Sequence, residues 1–411
     1  MQGYYIFTIL VLCTTFFTYI NYKWVKLPVS IAVTLFSLLV SVALIFADRS
    51  FPQLNQLIKT NLDRIQFDEI VIDVLLGFLL FAAAFRMNAA NFKKHLPAIL
   101  SLAFVSTLLS TFLVGTFVYY SFVLLHHEIP FLQCLLFGAI ISPTDPIAAV
   151  AVLNKVGISK KVELQITGES LLNDGVAIVL YLTLLNFIST HNTGTVVQEA
   201  ALLFLKEAGG ALLFGLVLGG FTYLLLKTVS NYKVEILITI SIVTGGYTLA
   251  RFIDVSPPLS MVVAGLVCSV GDEQRRAHIS HDFVLTFWEI VEDFINVVLF
   301  LLIGLGVFII RVDKMVLIIG AMTIFSLLLA RLISLLPVYF ALRKAFENKS
   351  LWLLTWAALR GAVSIALALS MPAAFHRSEL LALTYIIAVF SIVVQGLTIK
   401  PLAERLGFGT K

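Results

Sequence analysis

Charged side chains are what this chain has least of. Only 13% of its 411 residues are Asp, Glu, Lys or Arg, against about 25% in a soluble globular chain. No polar stretch long enough for a soluble domain interrupts the apolar runs, which recur from end to end at 60% hydrophobic residues. That excludes a water-soluble enzyme or binding module. Cysteine is nearly absent, and Cys13, Cys134 and Cys268 each sit in an apolar run. They read as unpaired small hydrophobes rather than as a disulfide framework. Basic residues form no cluster, so the net charge of +4 gives no reason to expect nucleic acid as a partner. The N-terminal MQGYYIFTILVLC has no basic segment before its apolar run and no small-residue cleavage site after it. It is expected to stay in place as a first helix.

What is present is a succession of apolar runs of membrane-spanning length. Hydropathy predicts an all-α polytopic membrane protein with about thirteen transmembrane helices. The fifth span is expected over about 131–154, the sixth over 162–190 and the twelfth over 350–371. Lys and Arg concentrate in the loops after odd-numbered spans, at Lys93, Lys94, Lys155, Lys160, Lys161, Arg343 and Lys344 among others. The opposite loops hold fewer, including Arg49, Lys59, Arg64, Arg251 and Arg377. The positive-inside rule then places the N-terminus outside and the C-terminus in the cytoplasm.

A charged side chain at the bilayer centre costs about 2.5–3.5 kcal/mol on insertion scales, so it faces protein or a wet cavity and is a candidate for function. Such residues gather in three spans. In TGESLLNDGVAIVL of the sixth span, Glu169 and Asn173 are i and i+4, as are Ser170 and Asp174. The two stripes adjoin and cover roughly 140° of the helix. Asp174 lies about 18 Å from the cytoplasmic end at 1.5 Å per residue, near the midplane. The fifth span contains SPTDPIAAVAVL, where Pro143 and Pro146 each remove a helix N–H. The chain should unwind around Thr144 and Asp145, freeing carbonyls that can coordinate a cation as broken helices of transporters do. A plain proline kink, with Asp145 only accepting bonds from freed amides, is the competing reading.

The twelfth span, LWLLTWAALRGAVSIALALSMP, carries Arg360 at mid-depth beside Gly361. Arg360 needs Glu169, Asp145 or Asp174 as a partner, or the carbonyls of a helix C-terminus. Arg331, in LLLARLISLLPVYF, offers the same choice. Spans five and twelve run in opposite directions, and paired interrupted helices in inverted orientation point to a transport site.

SPTDPIAAVAVL, TGESLLNDGVAIVL and WAALRGAVSIALALSMP, in this order and with FWEIVEDFINVVLFLLIGL between them, resemble the NhaP-type sodium/proton antiporters of the monovalent cation–proton antiporter family. The resemblance covers essentially the whole chain. It implies an inverted-repeat fold with two crossing interrupted helices. It also implies a scaffold or dimer domain at 1–90 and 231–312, and an ion-transporting core at 91–195 and 313–411. A seventh helix at 196–230 links the two. By the same resemblance Asp174 is the ion- and proton-binding carboxylate. Asp145, the Thr144 carbonyl and Ser170 are further ligands of the transported Na⁺. Glu169 lies beside the site and pairs with an arginine, for which Arg360 is the favoured match. Asn173 fills the first position of an Asn-Asp pair, the branch that exchanges one cation for one proton.

The expected activity is therefore Na⁺/H⁺ antiport without ATP or a cofactor, in a homodimer in a bacterial inner membrane. A proton and a metal ion would compete for one negative charge, and hard oxygen donors suit Na⁺. K⁺/H⁺ or mixed exchange by the same fold is the near alternative. An intramembrane aspartyl protease using Asp145 and Asp174 is a remote one, lacking a GxGD context, and a carboxylate-filter channel lacks a fourfold repeat. Glu289, Glu292 and Asp293 read as a solvated helix end rather than as an ion funnel, with Asn296 deeper. Asp68, Glu69 and Asp73 read likewise, and His95, His278 and His281 as surface histidines.

Overall fold

In the computed structural model, the residues described are 2–47, 69–190, 196–271, 279–308, 310 and 314–408. Arg49, Lys59, Arg64, Asp68 and His278, named above, lie outside them, as does the side chain of His281. The described chain is helical and contains no named strand. Its helices are α1 (Gln2–Ile20), α2 (Val29–Ala47), α3 (Leu76–Arg86), α4 (Ala89–Ser101) and α5 (Thr107–Leu124). Then come α6 (Phe131–Ile141), α7 (Ile147–Val156), α8 (Lys160–Thr190), α9 (Val196–Lys227), α10 (Tyr232–Phe252) and α11 (Pro257–Gly271). The chain continues with α12 (Ile279–Gly306), α13 (Lys314–Ala341), α14 (Ser350–Trp356), α15 (Ala362–Ser370), α16 (Arg377–Phe390) and α17 (Gly396–Leu406).

Seven helices among the described residues are long and apolar enough to cross a membrane. Shorter apolar helices include α6 and α7. The expected breaks are present. Residues 142–146 separate α6 from α7, and residues 357–361 separate α14 from α15. α4 and α5 are joined without a break through a wide π-turn, Leu102–Ser106, and α16 and α17 through another, Ser391–Gln395.

Between helices in lipid the cohesive force is van der Waals packing, which rewards close approach of small residues. α6 runs so near α5 that a Cβ added at Gly138 would lie 2.2 Å from the Thr111 carbonyl oxygen. Around the breaks the interior is packed on two sides. Phe137, Ile140, Leu171 and Leu383 belong to one buried cluster, and Val152, Leu353, Ile365 and Ile399 to a second. A third unites α3 with α9 to α12 through Phe81, Leu218, Tyr247, Met261 and Trp288. The Phe81 and Trp288 rings are 5.0 Å apart, and the Trp288 indole N–H donates to Thr239 at 3.1 Å. All three cysteines are free, with Cys134 and Cys268 buried.

Candidate functional site

The two breaks meet. The Asp145 N–H donates to the Leu359 carbonyl at 2.8 Å, and the pair forms an isolated antiparallel bridge. Backbone that has left one helix is thus satisfied by backbone that has left the other, as any polar group at membrane depth must be. Gly361 makes the crossing possible, because a Cβ there would sit 2.2 Å from Asp145 Oδ2.

Pro143 and Pro146 cannot donate to the carbonyls of Ala139 and Ser142, the partners four residues back. Arg360 supplies what Pro146 withholds. Its Nη1 donates to the carbonyls of Ser142 at 3.1 Å and Pro143 at 2.9 Å. A buried cation at the C-terminal end of α6 also suits the negative end of that helix dipole. Asp145 Oδ1 accepts from the Ile147 N–H at 2.9 Å, capping the start of α7. The kink reading of Asp145 is therefore present in part, yet its side chain is not closed off.

On α8 the polar stripes divide their work. Glu169 is buried and meets Arg331, with Nη2–Oε2 at 2.8 Å and Nη1–Oε1 at 2.5 Å. Arg331 is buried as well and also donates to Ser106 at 3.0 Å. The partner of Glu169 is therefore Arg331, not the Arg360 favoured from the resemblance. The reason is geometric: α13 faces the Glu169 side of α8, whereas Arg360 is held at the end of α6. Ser106 and Ser334, themselves 3.0 Å apart, complete this network and were not singled out from sequence. Ser334 could have been, being i+3 from Arg331 on one helix face.

Ser170 and Asn173 turn to the break. Ser170 and Thr144 hydroxyls lie 2.8 Å apart, Asn173 Nδ2 donates to Thr144 Oγ1 at 2.9 Å, and Thr144 N donates to Asn173 Oδ1 at 3.4 Å. All three residues are buried. Asp174, by contrast, enters no hydrogen bond or ion pair recorded among the described residues, and it and Asp145 are only partly buried.

What opens onto them is a cleft of about 690 Å³, its mouth included. Thr144, Asp145, Ser170 and Asp174 line it, as do Leu80 of α3 and Phe300 of α12. Glu292, Asn296 and Phe300 follow one another at single-turn spacing along α12, so the cleft runs from the helix end near Arg86 toward the middle of the molecule. Glu292 and Glu289 pair with Arg86 at 2.8 and 3.1 Å. The solvated-end reading thus gives way for Glu292, which lines the cleft, while Asp293 is exposed. Outside the cleft lining, Asp73 pairs with Arg251 at 2.9 Å. Thr167, Leu80 and Leu299 also line the cleft. No feature of the sequence marks them, since each is an ordinary residue on an apolar helix. No group of three or more His, Cys, Asp or Glu side chains that could hold a resident metal occurs among the described residues.

Crossed, broken helices with Asp174 and Asp145 lacking a counter-charge at an open cleft define a membrane transporter of small cations. The comparisons agree. A family model described as sodium/hydrogen exchanger, transmembrane, matches residues 10–405, and the chain belongs to that family. It is 36% identical to a protein named Na(+)/H(+) antiporter NhaP from Pseudomonas aeruginosa, over 96% of this chain and 95% of the other. It is 32% identical to one named Na(+)/H(+) antiporter NhaH from Halobacillus dabanensis, over 83% of this chain and 84% of the other. Its fold is that of the sodium proton antiporter MjNhaP1 from Methanocaldococcus jannaschii, with TM-score 0.75 over 100% of both chains at 19% identity.

Proposed function

We propose that the chain exchanges Na⁺ for H⁺ across a bacterial inner membrane by alternating access, with Asp174 as the carboxylate that either ion neutralises. The observation that carries this reading is the contrast on α8. Glu169 is saturated by Arg331, while Asp174 stands unpaired at the cleft beside Asp145, Ser170 and Thr144. These carboxylate and hydroxyl oxygens, with the carbonyls of the break, are the hard donors that Na⁺ prefers. Asn173 tethers the Thr144 loop to α8 without adding charge. One mobile charge per site then supports electroneutral 1:1 exchange.

The site empties toward the Glu292 end of the cleft. With thirteen crossings and the positive-inside orientation, that end is cytoplasmic, and this conformation is the inward-facing one. The outward-facing one would follow from rocking of residues 91–195 and 313–411 against 1–90 and 231–312 in a homodimer. An empty, charged site that does not cross makes loading obligatory in each direction, so the two fluxes are coupled.

Proton flux in proteoliposomes on addition of Na⁺, Li⁺ or K⁺ tests this. Wild type is expected to respond to Na⁺ and the folded Asp174→Asn variant to lose that response, an amide having no proton to give up to the cation. A variant with undiminished exchange would end the proposal, and a response to K⁺ alone would move it to K⁺/H⁺ exchange. Electroneutrality predicts no change of rate under an imposed valinomycin potential, and a clear voltage dependence contradicts it.

A further inference from the structure

A second cavity lies far from the crossing, at the end of the molecule where α4 begins and α13 ends. Its volume is about 860 Å³, mouth included, and Lys94, His95, Pro97, Phe340, Arg343 and Lys344 are among the residues that line it. α4 and α13 belong to candidate membrane spans that start at Asn91 and stop at Ala341. The cavity therefore stands at the boundary between hydrocarbon and water. Its rim is fixed rather than loose. Gln165 Nε2 of α8 donates to the Ala345 carbonyl at 2.8 Å, and Lys161 Nζ reaches the Lys344 carbonyl at 3.5 Å. Both bonds hold the turn after α13 against the first turns of α8.

The charges here are unbalanced. Lys94, Lys161, Arg343 and Lys344 enter no salt bridge recorded among the described residues. Of the nearby acids, Glu163 is paired with Lys160 at 2.9 Å, and Glu347, which accepts from the neutral Ser159 hydroxyl at 2.5 Å, can offset only one of these four basic charges. Beside the basic rim the lining is apolar and open, with Phe340 69% exposed and Pro97 and Ala341 next to it. A soluble phosphate would use the first feature and leave the second idle. A phospholipid uses both, its phosphate accepting from Arg343 and the lysines while an acyl chain lies along Phe340. Basic pockets between helices at the membrane surface are suited to such headgroups, at about 1 kcal/mol per basic residue.

We propose that this pocket binds the headgroup of one anionic phospholipid. Because Gln165 and Lys161 tie its rim to α8, the helix that carries Asp174, the lipid would hold α4, α8 and α13 together at one end of the core. The site does not depend on which cation is exchanged.

Native mass spectrometry of delipidated protein titrated with phosphatidylglycerol or phosphatidylcholine tests it. Wild type is expected to retain one phosphatidylglycerol and to discriminate against phosphatidylcholine. An Arg343→Ala/Lys344→Ala variant should bind it about 10- to 30-fold more weakly, two basic contacts being lost. Lys93→Ala, an exposed lysine outside the lining, should change nothing. If the double variant does not fold, Lys94→Gln is read out in the same way. Equal retention by wild type and the pocket variants, or of the two lipids, overturns the proposal. Displacement of the lipid by millimolar inorganic phosphate, with no preference for phosphatidylglycerol, overturns it in favour of a soluble phosphate.

Discussion

Glu169 and Asp174 stand five residues apart on one helix and meet opposite fates. Glu169 is buried against a guanidinium that is itself buried, while Asp174 faces the cleft with no counter-charge in contact. The same side-chain chemistry is structural in one place and available in the other. What separates them is about 140° of helix rotation. One direction meets α13 and Arg331, the other the break between α6 and α7. An acid is free to bind cargo only where no resident cation has taken the charge.

The two arginines extend the contrast. Arg331 neutralises a carboxylate, whereas Arg360 satisfies the Ser142 and Pro143 carbonyls at the break, the first of which Pro146 leaves without a donor. Their removal should therefore differ in size. Arg331→Ala leaves a buried, unpaired Glu169, and breaking a buried pair in this way costs about 3–5 kcal/mol. Thermal or denaturant unfolding in detergent should show that loss, and an added Glu169→Gln should recover most of it. No recovery would mean that Arg331 acts through its bond to Ser106 instead. Arg360→Ala strands neutral carbonyls and should cost less, about 1–3 kcal/mol for the groups left unsatisfied. Its larger effect should be on exchange, as a raised apparent KM for Na⁺, because the Ser142 and Pro143 carbonyls border the Thr144 loop. An unaltered KM would separate the capping of α6 from the shape of the site.

Much of this was legible in the sequence, and the illegible part has a common cause. Two prolines three residues apart each remove a helix donor, so the sequence pointed to an interruption at residues 142–146, and the structure decided between a break and a plain kink. The polar stripe of α8 followed from helical periodicity alone. The second break had weaker local cause, Gly361 beside a buried charge, and was found only because an arginine at mid-depth demands a partner. Periodicity fixes which residues share a face of one helix. It does not say which neighbouring helix that face meets, and so the sequence left Glu169 to be assigned to the wrong arginine. Ser106 escaped notice for the same reason, since its place beside Arg331 depends on the wide turn of residues 102–106. The cleft wall is further from sequence still. Leu80 and Phe300 acquire their role only because α3 and α12 pack opposite the crossing.

Proton release on cation binding tests most directly whether Asp174 is the exchanging group. In weakly buffered detergent solution, below the pH at which the site has lost its proton, Na⁺ added to purified wild-type protein should release about one proton per chain. The Glu169→Gln/Arg331→Met double variant should release the same amount, since neither residue lines the cleft that holds Asp174. The Asp174→Asn variant should release none. Release of a full proton by Asp174→Asn, or its loss in the double variant, would contradict the account.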